Sequence, residues 1–151
     1  MKLAEALIER ADAQKRIEQL KARILRNARI QEGEQPAENP TALLEESERL
    51  AATLADLIKR INRTNSQTIV SDVKTLSDAL AERDVLLVRR APYNDLAQAA
   101  SVGQDRYLRS EVKFKSTVNV AEVQGRADEL ARQHRELDAR IQETNWNTEL
   151  L

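Results

Sequence analysis

LAEALIERADAQKRIEQLKARILRNARI, residues 3–30, decides the fold class. Leu3, Ala6, Arg10, Ala13, Ile17, Leu20, Ile24 and Asn27 follow one another in alternating steps of three and four. That spacing puts them on one face of an α-helix, as a coiled-coil-like seam with two polar members, Arg10 and Asn27. Leu7 and Ala11 widen the stripe. Glu5, Glu9 and Asp12 lead and Arg23, Arg26 and Arg29 close, the order that complements a helix dipole. At 1.5 Å per residue such a helix is roughly 42 Å long.

The same period recurs down the chain. After a polar stretch holding Gly33 and Pro36, Asn39-Pro40 reads as an N-cap followed by proline in the first turn. Leu43, Ser47, Leu50, Leu54, Leu57, Ile61 and Thr64 then form a second seam. The short connection predicts an antiparallel hairpin. Residues 1–30 carry eight bases and four acids, whereas 31–58 carry one base and seven acids. With the turn near residue 35, Glu45 would stand level with Arg26, Glu48 with Arg23 and Asp12 with Lys59. Thr75 and Asp78 make an acidic capping box for a third helix. It carries Leu76, Ala79, Leu80, Leu86, Leu87, Leu96, Ala97 and Ala100, with Arg83, Arg90 and Asn94 in its seam. Pro92 lies inside it, and an unbroken, kinked segment matches the other helices in length. Asn119 and Glu122 open a fourth helix, with the seam Val123, Ala127, Leu130, His134, Leu137, Ile141 and Thr144.

The fold class expected is therefore mainly α: four long helices in an antiparallel bundle or coiled-coil arrangement, about 3–30, 40–64, 75–101 and 120–145, within a single helical domain 1–151. Two short β-strands are predicted in the connections. One is at about 67–70, around Thr68-Ile69-Val70. The other is at about 111–118, where Val112, Phe114, Ser116 and Val118 alternate with Lys113, Lys115 and Thr117.

Composition narrows the function. The 151 residues include no cysteine and one histidine, which removes disulfide, thiol and multi-histidine metal chemistry from a single chain. A net charge of −1 does not favour strong nonspecific DNA binding. The basic face of the first helix (Lys15, Arg16, Arg23, Arg26) is the one nucleic-acid candidate, and the acids of the second helix are its expected neighbours. The longest strongly apolar run, Val85-Leu86-Leu87-Val88, is far short of a bilayer span. Glu5 and Glu9 stand where a signal peptide needs its apolar core, so a cytoplasmic location is expected. Glu9/Asp12 and Glu45/Glu48 have the spacing of helical metal sites, but the hairpin separates them by about 16 Å along the axis. No nucleophile constellation and no glycine-rich phosphate loop is present. No catalytic residue, metal ligand or cofactor is assigned.

The candidate polar site or interface comprises three sets. Arg10, Asn27, Arg83 and His134, with Arg90, interrupt apolar seams, where polar residues fix register or oligomer state. Asn62, Arg63 and Asn65, with Asn145 and Trp146, close the second and fourth helices. Arg83, Asp84, Arg109, Glu111 and His134 could line a polar cavity. The strings INRTN (61–65), TLSDALAERD (75–84), RYLRSEVKFKSTVNV (106–120) and IQETNWNTEL (141–150) resemble a family of small bacterial proteins labelled septicolysin. The resemblance implies a largely helical fold and no transferable catalytic residue. Its label suggests a cytolysin, which the absence of an apolar hairpin does not support. The reading reached is a homo-oligomeric binding or scaffold protein, a dimer before a higher symmetric oligomer, with no strong nucleic-acid or membrane signal. The alternative is an enzyme or a binder of a small anion or metal with a polar site inside the bundle.

Overall fold

Each helix starts where a side chain can satisfy the free amides of its first turn. α1 (Leu3–Arg26) begins after Lys2, whose amide donates to the Glu5 carboxylate at 2.6 Å. α2 (Pro40–Gln67) begins after Asn39, whose Oδ1 accepts from the Thr41 amide at 2.9 Å. At α3 (Leu76–Ala100) the expected capping box is complete: Thr75 Oγ1 accepts the Asp78 amide at 3.1 Å and the Asp78 carboxylate accepts the Thr75 amide at 3.2 Å. α4 (Val120–Asn147) is capped by Asn119, whose Oδ1 accepts the Glu122 amide at 3.1 Å. β1 (Ile69–Ser71) and β2 (Lys74–Thr75) pair in a two-stranded sheet. The chain is thus mainly helical, with four helices and two short antiparallel strands. The structure, a computed structural model, describes residues 1–101 and 113–151.

Two compact units make up the chain: Met1–Ile69 with Gln142–Leu151, and Val70–Ile141. In the first, α1 and α2 pack as an antiparallel hairpin. Leu3, Ala6, Ala13 and Leu20 of α1 and Leu43, Leu57, Ile61 and Thr64 of α2 are buried, all of them seam positions. The hairpin register differs from the charge-matched one. Arg16 Nη2 bonds Glu46 Oε1 at 2.7 Å, and the Arg23 guanidinium grips Glu38, not Glu48. The cause is an earlier end to α1. Asn27 stops the helix four residues before Ile30 by donating from Nδ2 to the Arg23 carbonyl (2.9 Å) and accepting the Glu38 amide at Oδ1 (3.1 Å). That clasp holds the connecting loop back along α1, so α2 starts level with Arg23.

Residues 1–3 and 148–151 form an antiparallel bridge within the same unit. The Leu3 amide donates to the Thr148 carbonyl and the Leu150 amide to the Met1 carbonyl, both at 2.9 Å. Lys2 Nζ meets Glu149 at 2.6 Å. Thr64, fully buried, ties the bridge to α2: its hydroxyl accepts the Leu151 amide at 3.0 Å and donates to the Arg60 carbonyl at 2.9 Å. Hydroxyls of Thr64 and Ser66 both donate to carbonyls of the preceding turn, and α2 runs on to Gln67, three residues past the expected end, where the Thr68 amide donates to the Thr64 carbonyl at 2.9 Å.

In the second unit α3 and α4 run antiparallel, with Arg83 opposite Asp138. Leu76, Ala79, Leu86 and Ala97 of α3 and Ala127, Leu130 and Ile141 of α4 are buried. α3 continues unbroken through Pro92. Pro92 is exposed, as is Val88, whose carbonyl loses its amide partner there. The strand expected at 111–118 is not formed over 113–118, and residues 111 and 112 lie outside the described residues. Ser116 explains this: its hydroxyl donates to the Val118 carbonyl at 2.6 Å and accepts the Val118 amide at 3.2 Å, so the backbone turns toward α4. β1 pairs instead with β2 through a tight turn at Asp72 (φ 47°), a left-handed position that Asp tolerates better than most residues.

Thr64→Val keeps the shape of the side chain but strands the Leu151 amide. It should lower the free energy of unfolding in urea by about 1–2 kcal/mol.

Candidate functional site

The seam polars divide between the two units. In the first, Arg10 is half-buried on α1 and its Nε is buried without a hydrogen-bond partner. Asn27 acts as the loop clasp. Asn62 and Arg63 are exposed on α2, and Asn65 is half-buried. Asn145 is buried, whereas Trp146 beside it is exposed, so it does not cap a packed core. Of the basic face of α1, Arg16 and Arg23 are engaged by Glu46 and Glu38.

In the second unit Arg83 is half-buried between two carboxylates. Nη1 meets Asp138 at 3.0 Å, while Nε and Nη2 fork onto Asp84 at 3.1 and 3.0 Å. Burial works to lower the pKa of this guanidinium, and the two aspartates outweigh it, so the pKa is raised. Arg83 is therefore neutralised by Asp84 on its own helix and by Asp138, which holds α3 to α4, rather than presenting an open anion site. His134 is half-buried on α4. Arg109 and Glu111 lie outside the described residues. Arg90, two turns beyond Arg83, has a buried Nε with no partner. Among the described residues no group of three or more His, Asp or Glu is placed to hold a metal ion. No helix among them is long and apolar enough to cross a membrane.

A groove of about 530 Å³ runs along α3 and α4. Its apolar floor is Val85, Leu86 and Leu137, and its rim carries Glu82, Arg89, Glu136 and Arg140. Sequence reasoning missed it, although the signal was present. Ala81, Val85, Val88 and Pro92 are spaced four, three and four apart, a second seam on the face of α3 away from its buried side. All four are exposed, Val85 to 52% and Val88 to 70%. Leu87 and Leu96, expected in the core, are also exposed. A second notch holds Tyr93, Gly125 and Glu129. There Arg132 and Gln133 hydrogen-bond the Glu129 carboxylate and bring its pKa down to about 2.

A family model described as a family of unknown function, DUF6847, matches residues 10–150. The chain belongs to this family. The match corrects the septicolysin resemblance: the four strings belong to a family that does not carry that name. The chain is similar to a functionally unknown conserved protein from Corynebacterium diphtheriae, known from its crystal structure. The two are 49% identical, the match covers 100% of this chain and 99% of the other, and the TM-score is 0.94. No curated protein matches the sequence.

Two outcomes follow from these environments. Glu129 is held as the carboxylate in the folded state, so its contribution to stability is complete above the ordinary glutamate range near 4.5 and fades only as pH falls toward about 2. A carboxyl-carbon NMR titration should place the Glu129 midpoint well below 4.5. Arg90→Met keeps the apolar stem and removes the stranded donor, and should raise the unfolding free energy in urea by about 1 kcal/mol.

Proposed function

We propose that the chain acts by binding rather than by chemistry, as a homo-oligomeric helical scaffold whose contact surface is the outward face of α3. One observation carries this reading: α3 is apolar on two opposite faces. Leu76, Ala79, Leu86 and Ala97 face its own unit, and Ala81, Val85, Val88 and Pro92 face out. A helix apolar on one face serves a fold, and a second apolar face is left for a partner. Rim charges of both signs around an apolar strip have the organisation of a protein interface, a dry centre within a polar border. The groove between α3 and α4 gives that strip relief into which side chains of another molecule can pack. The ion-paired state of Arg83, between Asp84 and Asp138, supports binding over catalysis, because its guanidinium is not left free to hold a substrate.

Sedimentation velocity tests the reading. The unmodified chain should sediment as a dimer or larger at tens of micromolar, and Val88→Glu should shift it to the monomer with its helical circular dichroism unchanged. A chain that stays monomeric at several hundred micromolar would overturn the reading.

A further inference from the structure

We infer that the occupant of the α3 face is α3 of a second copy, lying antiparallel across a two-fold axis between residues 86 and 87. The inference rests on the self-association proposed above and adds its geometry. Three observations fix it. First, the outward strip runs Ala81, Val85, Val88, Pro92, so an antiparallel copy centred there sets Val85 against the partner subunit's Val88 and Ala81 against the partner subunit's Pro92. Second, the groove opens on the side of the strip that carries Glu82 and Arg89, flanked by α4, and not on the side of Asp84, which Arg83 already holds. In an antiparallel pair the two like sides face each other, so Glu82 meets the partner subunit's Arg89, and Arg89 meets the partner subunit's Glu82. Among the described residues Arg89 has no ion-pair partner, whereas Glu82 is held only by Lys74 from the β-hairpin.

Third, charge excludes the neighbouring registers. Sliding the copy one heptad in one direction sets Glu82 against Glu82 of the partner subunit, and in the other direction Arg89 against Arg89 of the partner subunit. The register with opposite charges at both contacts along that flank is the centred one. Its ends are set by Asp78 and Asp95, which would lie level across the axis and confine the close contact to residues 81–92. A parallel pair would instead bring Asp84 to the partner subunit's Arg89, on the side away from the groove.

Charge reversal tests the geometry on the full chain. Glu82→Arg and Arg89→Glu should each weaken the dimer, by at least about tenfold in dissociation constant, because the two-fold axis repeats each like-charge contact. The double variant E82R/R89E should recover dimerisation to near the unmodified level. A parallel pair would show rescue of Arg89→Glu by Asp84→Arg instead, which would overturn the antiparallel geometry. A dimer disrupted by Val88→Glu but indifferent to both reversals would overturn this inference while leaving the broader reading standing. A chain monomeric throughout would overturn both.

Discussion

The first unit depends on a bridge between segments separated by nearly the whole sequence. Two backbone hydrogen bonds join residues 1–3 to 148–150, and the Leu151 amide closes onto the buried hydroxyl of Thr64. A hairpin of two helices such as α1 and α2 forms from contacts close in sequence. The last turn of α4 reaches the same unit only by closing a long loop. That closure costs little more for being long, since the entropy grows with the logarithm of length, so a few well-made contacts suffice. Thr64 is the joint because, among the described residues, it is the fully buried polar one that both ends its own helical turn and receives a foreign amide. A β-branched residue is a poor choice for helix propensity alone, and here its hydroxyl serves two elements at once.

Much of this architecture was legible. The strict alternation of three and four marked the seams of α1, α2 and α4, and every member of those seams is buried or half-buried. The caps at Asn39, Thr75 and Asn119 were equally readable, because each follows from the local chemistry of four residues. Part of what was not legible depended on contacts between residues further apart in the sequence. The end of α1 was set by Asn27 reaching Glu38, and that shift moved the hairpin register and its charge pairs by roughly nine residues. The strand at 113–118 failed because alternation describes only half of a strand. The other half is a partner edge, and Ser116 offered its own backbone a closer bond.

α3 resisted reading for a different reason. Periodicity identifies a buried face by contrast with a polar one, and the run Val85-Leu86-Leu87-Val88 removes the contrast. Four successive apolar residues occupy most of a helical turn, so at least one must point away from any single neighbour. Leu86 is buried and Val85, Leu87 and Val88 are not. The polar candidates were located more readily than their roles. Asn27 proved to be a clasp and Arg83 an anchor, because each found a partner through the antiparallel packing of its own unit.

Arg83 and Arg90 show how that packing decides such fates. They stand seven residues apart on the same seam of α3, so they face α4 in the same direction. The level that sets Asp138 against Arg83 sets Ala131 against Arg90. One guanidinium therefore finds a carboxylate and the other finds a methyl group, leaving its Nε buried and unbonded. A stranded donor weakens the pairing of α3 with α4 near Arg90 while the Asp138 contact pins it two turns away. An arginine that costs stability at its own seam is then tolerated because the Asp138 contact two turns away already sets the level of the two helices.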